Sequence, residues 1–353
     1  MVDVCMCRQE SEENMIIVVK PDASEAQVKE ILDHLESHGL TAHISKGSER
    51  LIIGVIGDKS RLSADSLEVL PAVEKLVPIM ESYKLACKAF CPEGSAFDVG
   101  GVIIGGNELV MMAGPCAVES EEQVDEVAAK IKTCGAKFLR GGAYKPRTSP
   151  YAFQGLEREG LKILRKVADR YNLKVISEIT SENDIEFASD YLDMIQIGAR
   201  NAQNFRLLSA VGKSGIPVLL KRGIAETIDE WLGSAEYIMS EGNYRIALCE
   251  RGIRTFETAT RSTLDISAVP VLKGKTHLPV IVDPSHAAGK AQYVSPLSLA
   301  SIAAGADGLI IEVHPNPKCA MSDAAQQLKP EEYQKLTREI RAMAAILGRT
   351  YPE

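Results

Sequence analysis

The chain has 353 residues, 45% of them hydrophobic, with a formal charge of −8 and a pI near 5.5. That acidic balance argues against nucleic acid or an anionic membrane as a general partner, although it is compatible with a local basic pocket. No uninterrupted apolar run approaches the roughly 20 residues of a membrane span, because the longest, around Val102–Val118, is broken by Gly105, Gly106, Asn107 and Glu108.

Residues 1–13 are polar, with scattered cysteines, and read as a disordered leader. From Met15 the pattern becomes regular. Met15–Val19 reads as a strand, and Ser24 with Gln27 forms a capping-box signature. The following helix carries Val28, Ile31, Leu32 and Leu35 on one face and stops near Gly39. Thr41–Ser45 and Leu51–Ile56 are strands, and a second helix is predicted over Ser63–Val73. The last strand falls near Val77–Met80 or Tyr83–Phe90. This order predicts a small ferredoxin-like α+β domain over residues 14–92. Residues 93–107, rich in Gly, Pro and Ser, read as a linker.

From residue 108 to 353 apolar runs alternate with amphipathic helical stretches. The strands read Leu109–Pro115, Phe138–Tyr144, Val175–Ile179, Met194–Ala199, Val218–Lys221, Tyr244–Cys249, Val280–Asp283 and Leu309–Val313. Helices fall at Glu121–Thr133, Glu159–Asn172, Asn204–Ser214, Thr227–Ser240, Pro296–Ala304 and Pro330–Leu347. Eight such alternations predict a closed (β/α)8 TIM barrel. An open doubly wound sheet would place one glycine fingerprint after its first strand. Here Gly-Pro-Cys follows that strand, and charged residues follow nearly every other one.

A parallel barrel gathers all strand C-termini on one rim, where its active site forms. The residues at those ends are Cys116, Arg140 with Lys145, Glu178, Arg200, Lys221, Arg251, His286 and Glu312, with Asp323 shortly beyond. Cys116, His286, Glu312 and Asp323 are metal-ligand types, and the arginines and lysines are cations in an acidic chain. Singly, a strand-end cysteine is usually a small buried hydrophobe, and a lone arginine a surface charge. Together on one rim they describe a metal beside a basic pocket, suited to a multiply anionic substrate with a carbonyl to polarise. The eight cysteines have no dense disulfide spacing and no signal peptide precedes them, so reduced thiols and a cytoplasmic location are expected.

Five motifs carry a family resemblance: Gly114-Pro115-Cys116, Lys145-Pro146-Arg147-Thr148-Ser149, Ile197-Gly198-Ala199-Arg200, Asp283-Pro284-Ser285-His286 and Glu312-Val313-His314. Together they resemble the 3-deoxy-arabino-heptulosonate 7-phosphate synthases, in the branch with a small N-terminal regulatory domain. The resemblance implies condensation of phosphoenolpyruvate with erythrose 4-phosphate, the first step of the shikimate pathway. It implies one divalent metal on Cys116, His286, Glu312 and Asp323. The donor set suits Mn, Fe, Co or Zn better than Mg. Arg140, Lys145, Arg200, Lys221 and Arg251 are expected around phosphoenolpyruvate, and Lys145, Pro146, Arg147 and Thr148 around erythrose 4-phosphate, with Asp283 also in the substrate-binding set. Lys145 is the expected general acid, its pKa lowered by neighbouring cations, and Glu178 is expected to orient or deprotonate the attacking water. His314 is a candidate partner for a metal ligand. Cys319 is either an ordinary loop thiol or an oxidative partner of Cys116. The branch further implies an aromatic amino acid effector acting through the N-terminal domain and a homotetramer.

Three rivals stay open on the sequence. The 3-deoxy-octulosonate 8-phosphate synthases use arabinose 5-phosphate and carry a run resembling Lys-Ala-Asn-Arg-Ser in place of Lys-Pro-Arg-Thr. A Schiff-base aldolase would use Lys221. A non-catalytic sugar-phosphate sensor would keep the pocket without turnover.

Overall fold

The computed structural model describes residues 14–46, 51–56, 62, 64–79, 83–147 and 149–352. They divide into two compact units, one ending at Glu93 and the other beginning at Gly94. The leader reading of residues 1–13, and Thr148, lie outside the described residues.

The first unit runs β1 (Asn14–Val19), α1 (Glu25–Ser37), β2 (Thr41–Lys46), β3 (Leu51–Ile56), α2 (Ala64–Glu68) and β4 (Val73–Ile79). Its sheet has the order β2-β3-β1-β4 with antiparallel pairings, the ferredoxin-like arrangement. The capping box is present, with Ser24 N donating to Gln27 Oε1 at 2.9 Å. Ile17, Val19, Ile31, Leu35 and Ile53 form the core between sheet and helix. The second helix is much shorter than the predicted Ser63–Val73. Pro71 lacks a backbone donor and disfavours helical backbone at Leu70, so the chain turns and enters β4 at Val73. Pro78 then lies inside β4, which tolerates it because β4 is an edge strand. Residues 83–90, the alternative for the last strand, fold as turns.

The second unit is a closed barrel of eight strands. They are β7 (Val110–Gly114), β8 (Phe138–Arg140), β9 (Lys174–Glu178), β10 (Met194–Ile197), β11 (Val218–Lys221), β12 (Ile246–Glu250), β13 (Val280–Val282) and β14 (Gly308–Glu312). All neighbouring pairs are parallel. Buried on both faces, these strands read as continuous apolar runs rather than alternating ones. The intervening helices are α3 (Glu121–Thr133), α4 (Glu157–Tyr171), α5 (Ile185–Ser189), α6 (Phe205–Ser214), α7 (Ile228–Ser240), α8 (Ala268–Lys275), α9 (Pro284–Ala288), α10 (Ala291–Ala303) and α11 (Pro330–Ile346). Pro296, expected to open its helix, instead lies inside α10.

The linker reading of residues 93–107 is overturned. This segment folds with the barrel as a hairpin of β5 (Phe97–Val99) and β6 (Val102–Ile104). Phe97, Val99 and Ile104 join Val110, Phe138, Met194 and Leu219 in one core cluster. The hairpin therefore plugs the barrel interior with apolar side chains. Its Gly-rich turns, which suggested a linker, serve a two-residue hairpin connection at Gly100-Gly101.

Candidate active site

The residues past the strand ends converge on one cleft of about 340 Å³, lined by Lys145, Pro146, Arg147, Glu178, Gln196, Arg200, Lys221, Arg251, Arg261, His286 and Asp323 among others. Six of these are arginine or lysine, so the acidic chain does concentrate positive charge in one place.

Asp323 in the cleft wall and the buried Cys116 and Glu312 each offer one donor atom, all within 4.8 Å of one another. His286 Nε2 lies 3.4 Å from Glu312 Oε1 and 3.9 Å from Asp323 Oδ2. Asp283, the N-cap of α9, accepts from His286 N at 3.0 Å and pairs with His286 Nδ1 at 2.6 Å. With the proton on Nδ1, the Nε2 lone pair faces two carboxylates. Those two oxygens also accept from Arg140 and Arg261, and a cation shared with the imidazole would add to that neutralisation. A thiol, an imidazole and two acids in this arrangement fit a divalent transition ion.

The surroundings set the charge states. Burial, and then Glu312, push the Cys116 thiol up to about 11. Burial also lowers His286, with Asp283 opposing. Burial would raise Asp283, but His286 and Lys221 hold it well below the ordinary carboxylate range. Asp323 is likewise held at about 2 against burial, chiefly by Arg261, whose Nη1 donates to Asp323 Oδ2 at 2.9 Å. Arg140 donates from Nη1 to Pro115 O at 2.7 Å and to Glu312 Oε1 at 3.1 Å.

Lys145 departs from expectation. Its Nζ donates to both Cys116 O and Cys116 Sγ at 3.1 Å. Burial works against its charge, yet Cys116 and Glu312 outweigh burial and Arg140 and hold its pKa above the usual value, not below it. Arg140 acts in the expected direction but is outweighed.

Two glycines permit this crowding. A Cβ at Gly142 would meet Lys145 Cδ at 2.6 Å and Cys116 O at 2.8 Å, and a Cβ at Gly198 would overlap the Glu178 carboxylate. Glu178 itself accepts from Gln196 Nε2 at 3.3 Å. Burial raises its pKa, with Lys145, Lys221 and Arg200 pulling the other way. Gly198→Ala is therefore expected to displace Glu178 by an ångström or so and to lower kcat/KM by about 10²-fold. Steady-state kinetics that stay at the wild-type level would show that the Glu178 position is dispensable.

Known proteins share this architecture. Residues 79–347 match the DAHP synthetase I family, and residues 15–81 match the DAHP synthase ferredoxin-like domain. The chain belongs to the DAHP synthetase I family. It is 52% identical over 334 residues, 95% of this chain and 99% of the relative, to phospho-2-dehydro-3-deoxyheptonate aldolase of Thermotoga maritima. A crystal structure of that DAHP synthase superposes with a TM-score of 0.77 at 50% identity, covering 96% of this chain and 99% of its own. A 2-dehydro-3-deoxyphosphooctonate aldolase of Syntrophotalea carbinolica is 33% identical over 268 residues, 70% of this chain and 96% of its own length.

Within this family frame, most of the predicted residues meet at the rim. Lys145, Pro146, Arg147, Glu178, Arg200, Lys221 and Arg251 line the cleft, and Arg140 is buried beside Glu312. Asp283, expected in the substrate-binding set, is not among the residues lining the cleft. It is 1% exposed and engages Lys221 and His286 from below. His314 does not reach the ligand set either, since its Nε2 faces Glu119 Oε2 at 3.4 Å. Cys116 and Cys319 are both free thiols, the first buried and the second exposed. Sequence reading missed Arg261 and Gln326. Arg261 lies in the loop after β12 rather than at a strand end. Gln326 Nε2 donates to Glu312 Oε2 at 2.6 Å, while its Oε1 accepts from Arg261 at 2.9 Å. A neutral glutamine in a loop carries no sequence signal for that role.

Proposed function

We propose that this cleft condenses phosphoenolpyruvate with erythrose 4-phosphate and water, giving 3-deoxy-arabino-heptulosonate 7-phosphate and inorganic phosphate, with one divalent ion on Cys116, His286, Glu312 and Asp323. The observation that carries the reading is the His286 Nε2 lone pair aimed at two carboxylates beside a buried thiol, under a cleft of six cations. When bound, the ion (Mn, Fe, Co or Zn) supplies a Lewis acid for the aldehyde oxygen.

The chain's own groups account for the rest. Arg200, Lys221 and Arg251, with Arg140 behind them, present fixed cations to the carboxylate and phosphate of phosphoenolpyruvate. Arg147 belongs to the erythrose 4-phosphate end, where its Nη1 already donates to Ser322 Oγ at 2.5 Å. C3 of phosphoenolpyruvate attacks the aldehyde carbon, and Lys145 Nζ gives the new alkoxide its proton. Glu178 orients the water that adds at C2, after which the hemiketal phosphate collapses and releases phosphate by C–O cleavage.

Pro146-Arg147 and the higher identity to the heptonate aldolase favour erythrose 4-phosphate over arabinose 5-phosphate. Lys221 is ion-paired with buried Asp283, a poor state for a Schiff-base nucleophile. An aromatic amino acid effector acting through the small N-terminal unit, which matches the DAHP synthase ferredoxin-like domain, and a homotetramer in the cytoplasm are part of the same reading. No helix among the described residues is long and apolar enough to cross a membrane.

Phosphoenolpyruvate consumption is expected with erythrose 4-phosphate, to fall at least tenfold with arabinose 5-phosphate, and to stop when a strong chelator removes the ion. Full activity in chelator would end the metal assignment, and preference for the five-carbon sugar would end the substrate assignment.

A further inference from the structure

The loop that carries Asp323 leaves β14 and returns to its own start. Val313 and Leu328 form a parallel bridge, with His314 N donating to Leu328 O at 2.9 Å and Leu328 N to Glu312 O at 2.9 Å. At its far side Asp323 adopts left-handed backbone, φ 50°, which an aspartate tolerates at modest cost. Such a loop needs outside contacts to hold one side chain at ligand distance.

Arg261 on Asp323 and Gln326, and Arg147 on Ser322, supply some of those contacts, and the rest come from one short segment, Cys116–Glu119, just past β7. Cys116 N donates to Gln327 Oε1 at 2.9 Å, and Gln327 Nε2 donates to Ser322 O at 2.9 Å. Three residues beyond the thiol, Glu119 Oε1 accepts from Met321 N at 2.9 Å, two positions before Asp323. Its other oxygen faces His314 Nε2 at 3.4 Å. His314 Nδ1 accepts from Asn316 N at 3.0 Å, so its proton lies on Nε2 and is directed at Glu119. Both side chains are largely buried, 13% exposed for Glu119 and 5% for His314. Neither lines the cleft or touches a proposed ligand.

We propose that Glu119 and His314 are positioning residues that clip the Asp323 loop onto the Cys116 segment, so that thiol and carboxylate stand at ligand distance before any ion arrives. This inference rests on the cation site proposed above. Partners that orient ligands are commonly worth a factor of about 10–100 in metal affinity, and here the orientation works through backbone rather than through the ligand side chain. Loss of the clip removes the Met321 anchor and leaves Asp323 held by Arg261 alone among its strong side-chain contacts, with Lys221 and Arg251 untouched.

The test uses full-length protein stripped of metal and titrated with Co²⁺ alone, reading cobalt–thiolate charge-transfer absorption, with thermal unfolding of each metal-free protein recorded in parallel. Wild type is expected to bind one Co²⁺ per chain with a thiolate band that Cys116→Ser abolishes. Glu119→Gln is expected to raise the dissociation constant about 10- to 100-fold while keeping the band at saturation. Unchanged Co²⁺ affinity in a folded Glu119→Gln protein overturns the proposal and leaves the cation site standing. Should Glu119→Gln fail to fold, His314→Gln decides in its place, a tenfold weakening supporting the clip and wild-type affinity overturning it. Wild-type protein without a thiolate band removes the cation site itself, and the clip with it.

Discussion

Lys145→Met is expected to lower kcat by about 10²- to 10⁴-fold, the usual worth of a positioned proton donor, while one divalent ion per chain is still retained. The geometry behind this is specific. Lys145 Nζ lies 3.1 Å from the Cys116 thiol and also lines the open cleft, so it borders both the proposed ion and the incoming aldehyde. Cys116 and Glu312 keep it protonated against burial, which suits a group that gives a proton before it takes one. Methionine preserves the length of the stem and removes only the donor. Steady-state kinetics beside metal analysis separate the outcomes. Near-normal kcat would remove Lys145 from the acid role, whereas loss of the ion would make it a structural partner of the thiol.

Arg222→Met is expected to destabilise the fold by about 3–5 kcal/mol, the cost of leaving a buried charge without its partner. Arg222 follows Lys221, the last residue of β11, and is not among the residues lining the cleft. Its Nη1 donates to Glu250 Oε2 at 3.0 Å and to Asp265 Oδ2 at 2.8 Å, and its Nε donates to Glu226 O at 3.0 Å. Glu250 is fully buried, and its other oxygen accepts from Gly252 N at 2.6 Å. Burial already raises the Glu250 carboxyl, with Arg222 pulling it back. Without Arg222 that carboxylate must either stay charged in a dry site or take up a proton. The double variant Arg222→Met/Glu250→Gln removes both charges and should recover most of the loss, because coupled neighbours do not add. Denaturant unfolding of both variants measures this, and additive losses would mean that the two groups are independent.

The two units were legible for different reasons. In the barrel, eight apolar runs separated by amphipathic helices leave little choice of topology, since parallel strands need crossovers and eight close the sheet. Once closure is assumed, strand ends become a list of site candidates. That is why Cys116, Lys145, Arg200, Lys221, Arg251, His286 and Glu312 could be read together. In the small unit the helix before β4 was overdrawn because Leu67 and Leu70 continue an apolar spacing that Pro71 ends.

The amino-acid pattern alone determined the barrel, the ferredoxin-like order and the donor types for an ion, because periodicity and strand-end chemistry are local properties. Tertiary structure decided the rest. It turned the Gly-rich 93–107 segment into a core-filling hairpin, paired buried Asp283 with His286, reversed the expected pKa direction of Lys145, brought Arg261 and Glu119 to the Asp323 loop, and set Gln326 of that loop on Glu312. Each of these depends on which charges and apolar faces lie within a few ångströms, and residues far apart in the chain acquire that proximity only when the barrel closes.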